Sequence, residues 1–538
     1  MNNNILLSFL ELSNSEFEFA IYRKSSDNTS KSNGMFRYNL PTSTRADRDT
    51  YDVSFKEIDE TTKFIAKSTD NINMTKKWLM GVLLEKAIAT FNKSEFYVGN
   101  HFVPNISFVI SSHKEGQCLI QLVPYYLEIN NSFGFLADYK FKPFHGYEKT
   151  RQEKILSLSL SPDGNKNKNY YSDKMRYLKN FIDNIVPRLF PLKANELTLD
   201  IKRTLLELSP FQLNEKTYIF QNGESKIQFQ GIKEYKPLNN NIGLPHYVFV
   251  FEKSKINISR QLVKALRGQL YPTFSGMENM FGVDFSNDKI SSIIVEDYSF
   301  DNLKKIPEQL DDIIKRNPNA NIVGIFAGIE KDFDTGRNYS PYYTIKSYFL
   351  KRGLAIQAIT IEQALKRDGF KWSISGIALQ LFVKLGGVPW TVKPQNQNCL
   401  IFGVSSAHIK DEKNNVTKYF AYSLCFDSSG LYKKLNILGQ STNKESYIKQ
   451  LSDEIKNHLR NDLDDSIEKC VIHVPYKLKR DEMKCIKESM ESVKQDHQKI
   501  SFSVIKINVI NKFFGYSFYN SNIPLAGSCL QLGKHDYL

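Results

Sequence analysis

The chain has 538 residues, with 72 Lys and Arg against 58 Asp and Glu, a net charge of +14 and 13% aromatic residues. That length suits roughly three or four units of ordinary domain size, and the surplus of cations and rings fits a polyanionic partner, because phosphates attract ammonium groups and bases stack on rings. Six cysteines (Cys118, Cys399, Cys425, Cys470, Cys485 and Cys529) lack C-x-x-C spacing, which argues against zinc and a disulfide framework and places the chain in a reducing cytoplasm.

The N-terminal MNNNILLSFLELSNSEF has no basic n-region and does not read as a signal peptide. A polar stretch from Ser25 to Asn33 reads as a loop. The run WLMGVLLEKAIATF from Trp78 is broken by Glu85 and Lys86, too short for a bilayer, and reads as a buried helix. FVPNISFVISS, QCLIQLVPYYLEI and FGFLADYKFKPF have strand composition. ILSLSLSPDGNKNKNYYSDKMRYLKNFI predicts a strand, a turn at Pro162-Asp163-Gly164 and a helix from near Ser172-Asp173. NLKKIPEQLDDIIKR sets Leu303, Ile306, Leu310, Ile313 and Ile314 on one helical stripe, facing the strand predicted in NIVGIFAGI (Asn321 to Ile329). IEQALKR predicts another covering helix.

The most informative run begins at PYYTIKSYFLKRG. There Tyr342 and Lys346 are four apart, so on a helix they share a face. Gln357 lies in LAIQAIT, a short apolar run that reads as a buried strand. Lys384 ends the apolar stretch from Ile377 to Val383 and precedes Gly386-Gly387, which read as a helix C-terminus. A hydroxyl, an amide and two ammonium groups converging from two helices and a strand grip a dianionic phosphate by charge-assisted hydrogen bonds. Taken singly, each reads as a solvated surface residue. Together with the following KLGGVPW they form a pattern.

That pattern resembles the MID domain of Argonaute proteins, and the likeness runs from about Lys253 to the C-terminus. It implies that Tyr342, Lys346, Gln357 and Lys384 hold the 5′-phosphate of a guide strand. The N-terminal FGFLADYKF and LSLSLSPDGNKN resemble Argonaute N-terminal and linker regions, and the span from Phe141 to Lys253 leaves little room for a PAZ domain. The expected architecture is α/β: an N-terminal α+β lobe (1–110), a linker region without PAZ (111–240), a Rossmann-like MID domain (241–395) and an RNase H-like PIWI domain (396–538) lacking its C-terminal segment.

CLIFGVSSAHIK resembles the first PIWI strand, with Ser405 where the first catalytic aspartate belongs, and KCVIHVPYKL resembles the strand of the second, with Pro475 in its place. Two-metal hydrolysis needs several carboxylates around ions about 4 Å apart, and a serine and a proline supply none. Glu445 reads as a helix N-terminal acid, Asp427, Asp464, Asp465 and Asp481 as solvated, and His408 and His473 as structural. The resemblance therefore implies a nuclease-inactive member, with no catalytic residues and no metal site, in plasmid or antiviral defence. Its partners would be a short guide RNA or DNA, a complementary target (DNA in preference) and an effector protein, with no membrane. No cofactor is implied, magnesium at the guide 5′-phosphate being the exception left open. An active nuclease with displaced carboxylates and a non-enzymatic basic scaffold are the rival expectations.

Overall fold

The computed structural model describes residues 3–26, 34–99, 104–144, 150–328, 340–360, 367–463, 466–475, 478–496, 499–508, 511–519 and 521–538. Asp464, Asp465 and nearly all of the IEQALKR segment lie outside them. The chain divides into two compact units, Met1–Asn214 with Ile510–Leu538, and Glu215–Val509.

The first unit is built on a five-stranded antiparallel sheet in the order Phe9–Glu11, Ser132–Pro143, Gly116–Leu127, Ile106–Ser112, Phe96–Val98. Alternation along Gly116–Leu127 sends Cys118, Ile120 and Leu122 to one face, where they join a core with Trp78, Leu79 and Leu83 of the helix Ile72–Thr90. That helix starts at an Asn71 cap whose side chain accepts from the Met74 N–H.

One reading of this region differs from the structure. Ile155 and Leu156, which open the stretch read as a strand, instead end a short helix, Arg151–Leu156, started by a reciprocal capping box between Thr150 and Glu153. The sequence carried that T-x-x-E signal. The last segment of the chain, Ile510–Leu538, packs with the first unit. Gly515–Ser517 pairs antiparallel with Ile5–Leu7, Ser528–Gln531 pairs with Phe211–Gln212, and Leu530 and Leu532 share an apolar cluster with Ile5, Leu7, Leu127 and Leu136.

The second unit contains two sheets. The four strands Leu244–Glu252, Ile290–Val295, Ala320–Gly328 and Ala355–Thr360 are all parallel, in the spatial order second, first, third, fourth. Helices cover both faces, so the central strands are apolar throughout. Tyr247, Phe249 and Phe251 point toward the side of the Arg367–Lys384 helix, while Val248 and Val250 point toward Ile306–Arg316 and Pro341–Leu350. The stripe Leu303, Ile306, Leu310 and Ile313 is buried as expected. It is carried on two helices, Phe300–Leu303 and Ile306–Arg316, because Pro307 favours a fresh helix start at its first turn.

The second sheet has five strands in the order Tyr432–Ser441, Val416–Asp427, Cys399–Lys410, Lys469–Pro475, Ser501–Ile507. The first three are antiparallel and the last two run parallel to Cys399–Lys410, an RNase H-like arrangement. Helices Lys444–Asp462 and Arg480–Asp496 pack on one face, against Leu400, Phe402, Val404, Cys470, Ile472 and Val474.

Candidate nucleic-acid interface

Three elements of the parallel sheet and its helices position the four residues singled out above. The helix Pro341–Leu350 begins with proline in its first turn and buries Ile345 and Phe349. Tyr342 and Lys346 follow each other one turn apart beside that buried stripe, both half-buried. Close approach to the sheet depends on Gly324: a Cβ there would lie 2.6 Å from the Phe349 ring and 2.9 Å from Ile356.

The Arg367–Lys384 helix ends in a Schellman motif. Gly386 takes a φ of +89°, its N–H donates to Val383 O at 2.9 Å, and the Gly387 N–H donates to Phe382 O at 3.0 Å. Asn321, at the start of its strand, clamps this end by donating to Leu385 O and Ile242 O at 2.7 Å each. Lys384 is thereby fixed in the last helical turn, where a cation suits the helix dipole.

The side chains meet in two pairs. Lys346 Nζ donates to the Tyr342 hydroxyl at 3.2 Å, and Lys384 Nζ donates to Gln357 Oε1. Gln357 is 8% exposed on its buried strand and donates its Nε2–H to Ala358 O at 2.9 Å. Burial first, and then the charge of Lys346, pull the Lys384 ammonium below the usual lysine range. The two ammonium groups are thus within electrostatic reach of each other. Among the described residues neither ammonium makes an ion pair with a carboxylate. Such a set has donors and positive charge in excess, which an anion satisfies.

The other sheet carries Ser405 and Pro475. The parallel ladder pairs Cys399 with Lys469 through to Gly403 with His473; Ser405 and Pro475 each lie two residues beyond its last pair, at positions that alternate with Val404 and Val474, which face the covering helices. Among the described residues no group of three or more His, Cys, Asp and Glu side chains is placed to hold a metal ion. Glu445 sits in the first turn of Lys444–Asp462, behind an Asn443 cap. Asp427 organises its own turn by accepting from the Ser429 N–H at 2.9 Å, and Asp481 accepts from Lys444 at 2.6 Å.

One polar cluster was not anticipated from the sequence. Glu482 is 2% exposed, accepts the Tyr447 hydroxyl at 2.6 Å and the Lys479 N–H at 2.9 Å, and lies 3.4 Å from His408 Nε2. It joins both covering helices to the sheet. Tyr447 has helical spacing with Leu451, and that was the available signal.

Among the described residues, no helix is long and apolar enough to cross a membrane. Residues 334–534 match the Piwi domain family, a span that includes Tyr342, Lys346, Gln357, Lys384, Ser405 and Pro475. No curated protein matches the chain. Solved structures do match. Clostridium butyricum Argonaute, bound to a guide DNA and a 19-mer target DNA, superposes with a TM-score of 0.65 at 13% identity, covering 98% of this chain and 88% of its own. Drosophila Piwi gives 0.60 at 10% identity over 98% and 86%. Marinitoga piezophila Argonaute, in complex with 5′ OH guide RNA, gives 0.56 at 12% identity over 95% and 86%. The chain is Argonaute-like: it has the Argonaute fold over nearly all its length and carries a Piwi domain in its second half.

Proposed function

We propose that this chain is a prokaryotic Argonaute without a PAZ domain, which anchors the 5′-phosphate of a short guide at Tyr342, Lys346, Gln357 and Lys384. The guide selects a complementary target by base pairing while protein contacts go to the backbone, as in other guide-directed systems. The observation that carries the reading is the convergence of two ammonium groups with a hydroxyl and a buried amide, uncompensated by any ion-paired acid among the described residues. This donor set does not suit a magnesium ion, because cations already occupy the place where carboxylates would hold one. Guide and target are supported by the nucleic acids held in the Clostridium and Marinitoga structures.

Target is held without being cut. Ser405 and Pro475, near the ends of two neighbouring central strands, leave a pair of divalent ions short of negative ligands. Defence against plasmids or phage would then run through an effector protein. Loading is tested by sequencing nucleic acid that copurifies with the parent protein and with Lys346→Ala/Lys384→Ala. Short strands of uniform length with 5′-phosphates in the parent alone support the pocket. Equal loading of the variant refutes it, and heterogeneous fragments in both favour a basic scaffold. Cleavage of a guide-complementary target at one phosphate, with magnesium or manganese, would overturn the inactive reading.

A further inference from the structure

The five-stranded sheet of the second unit buries one face under the helices Lys444–Asp462 and Arg480–Asp496, through Phe402, Ala421, Leu438, Ile472 and, at its edge, Val504. Side chains alternate along strands, so the residues between these make up the other face. The register lines them up in rows. Leu435, Leu424, Gly403, His473 and Ile505 cross the whole sheet, and Ile437, Tyr422 and Ser405 lie in the next row. None of them belongs to an apolar cluster of the described residues, and Leu435 and Ile437 are 54% and 56% exposed. A sheet with one free face ordinarily keeps that face polar. A broad apolar face marks a surface for another chain.

Charge says what kind of chain. Among the described residues, Lys418 and Lys469 are the charged residues at the positions of this face, with no Asp or Glu beside them. Lys469 donates to Asn396 Oδ1 at 2.9 Å, and neither lysine pairs with a carboxylate among the described residues. Burial holds the His473 imidazole below the usual histidine range, so it adds no charge at neutral pH. Lys469 stands opposite Cys399 and Lys418 opposite Ile409, near the two ends of the strand Cys399–Lys410. At about 3.3 Å per residue they are roughly 30 Å apart, the length of a helix of about 20 residues.

Two other occupants fit less well. A second copy of this chain would set lysines against lysines with no acid between them. A nucleic-acid backbone needs cations along its length, and the apolar rows between the two lysines offer none.

We propose that the open face of this sheet docks an amphipathic helix of a partner protein, about 20 residues long. Its apolar stripe lies over Leu424, Leu435 and Ile437, and acidic residues near its two ends meet Lys418 and Lys469. The surface is built on a different sheet from the guide-phosphate residues and does not rest on that reading.

The probe is a fluorescent synthetic peptide of about 20 residues, with leucine on one helical stripe, glutamate in the first and last turns, and alanine and glutamine elsewhere. It is titrated against the full chain by anisotropy, without guide, while circular dichroism follows its helicity. The peptide should bind and gain helicity, and its counterpart with lysine for glutamate should bind about tenfold more weakly or worse. Lys418→Glu/Lys469→Glu should invert that preference. Leu435→Gln/Ile437→Gln, whose side chains already meet solvent and so leave the fold intact, should weaken the glutamate peptide about tenfold or more. Thermal melts establish that each variant is folded. The proposal is overturned by absence of binding, by equal binding of a scrambled peptide of the same composition, or by a glutamate preference that survives charge reversal. It is overturned equally if Leu435→Gln/Ile437→Gln abolishes a dimer seen in analytical ultracentrifugation, or weakens binding of a single-stranded oligonucleotide and not of the peptide.

Discussion

Lys346 and Lys384 are like charges held within electrostatic reach of each other, and each donates to a neutral oxygen, the Tyr342 hydroxyl and the Gln357 amide. Repulsion between them is tolerable because both are only half-buried and because the fold fixes their backbones separately, one on Pro341–Leu350 and one at the Schellman end of its helix. An arriving phosphate dianion relieves it.

Lys346→Met tests that relationship without depriving Gln357 of its donor. The variant should be as stable as the parent without guide, since it loses a 3.2 Å bond to Tyr342 and also loses the repulsion. Its affinity for a 5′-phosphorylated strand should fall about 10- to 100-fold, the range of a lost charge-assisted hydrogen bond, with little change for a 5′-hydroxyl strand. Fluorescence anisotropy with the two strands reads both.

The same pair sets a pH dependence. In the empty protein the Lys384 pKa is lowered, so between that value and the usual lysine range the unfolded chain binds more protons and stability rises with pH. A bound phosphate favours the charged lysine, so binding in that window takes up a proton. Guide affinity should therefore fall as pH rises through it. In Lys346→Met, where the like charge is gone, the fall should come at higher pH. A pH series of titrations that shows no displacement between the two proteins contradicts the coupling.

Gly324→Ala should reach the pocket from behind. The new methyl would stand 2.6 Å from the Phe349 ring, and Phe349 is fully buried on the helix that carries Tyr342 and Lys346. Overpacking of this kind costs about 1–3 kcal/mol, and the relief available is to push the helix outward. Both the urea midpoint and the affinity for 5′-phosphate should drop. Phe349→Leu in the Gly324→Ala background should restore part of each, because a smaller side chain makes room for the methyl.

Much of this was legible because local rules and global packing agree in the parallel sheet. The spacing of Tyr342 and Lys346, the apolar setting of Gln357 and the glycines after Lys384 each report local geometry, and each local element also faces the site. The strand ends of the second sheet were readable for the same reason: CLIFGVSSAHIK coincides with the strand Cys399–Lys410. The pairing of Gly515–Ser517 with Ile5–Leu7, more than 500 residues away in sequence, was not legible, because no local pattern encodes such a partner. Glu482 escaped notice likewise. A carboxylate in a first helical turn reads as a dipole-favoured surface acid, and only the fold brings Tyr447 over it.

That buried carboxylate should be costly to remove. Glu482→Ala strands the Tyr447 hydroxyl in a site where the tyrosine is 1% exposed, and also frees the Lys479 N–H. The expected loss is about 2–3 kcal/mol. Tyr447→Phe removes one donor and leaves Glu482 its other contacts, for about 1–2 kcal/mol. Burial raises the Tyr447 phenol above the usual tyrosine range, and the Glu482 bond adds to the rise, so the phenol remains the donor. In a denaturant-unfolding double-mutant cycle the two losses should be non-additive, and additive losses would mean that the groups do not act on each other.

Ser405 and Pro475 offer a test of the register itself. Replacing them as Ser405→Asp/Pro475→Asp puts two carboxylates on adjacent parallel strands, each two residues past the last pair, Gly403 with His473, and facing each other if the register continues. Like charges facing each other across a sheet are destabilising, by about 1 kcal/mol, or ~2–4 °C in a unit of this size. Magnesium or manganese should recover that loss in the double variant by bridging the two acids, and should leave the melting temperature of the parent unchanged. Cleavage should not follow, since two carboxylates alone do not complete a two-ion site. If the divalent ion shifts parent and variant equally, the two positions are not neighbours, and the proposed loss of metal ligands at this place in the sheet fails with them.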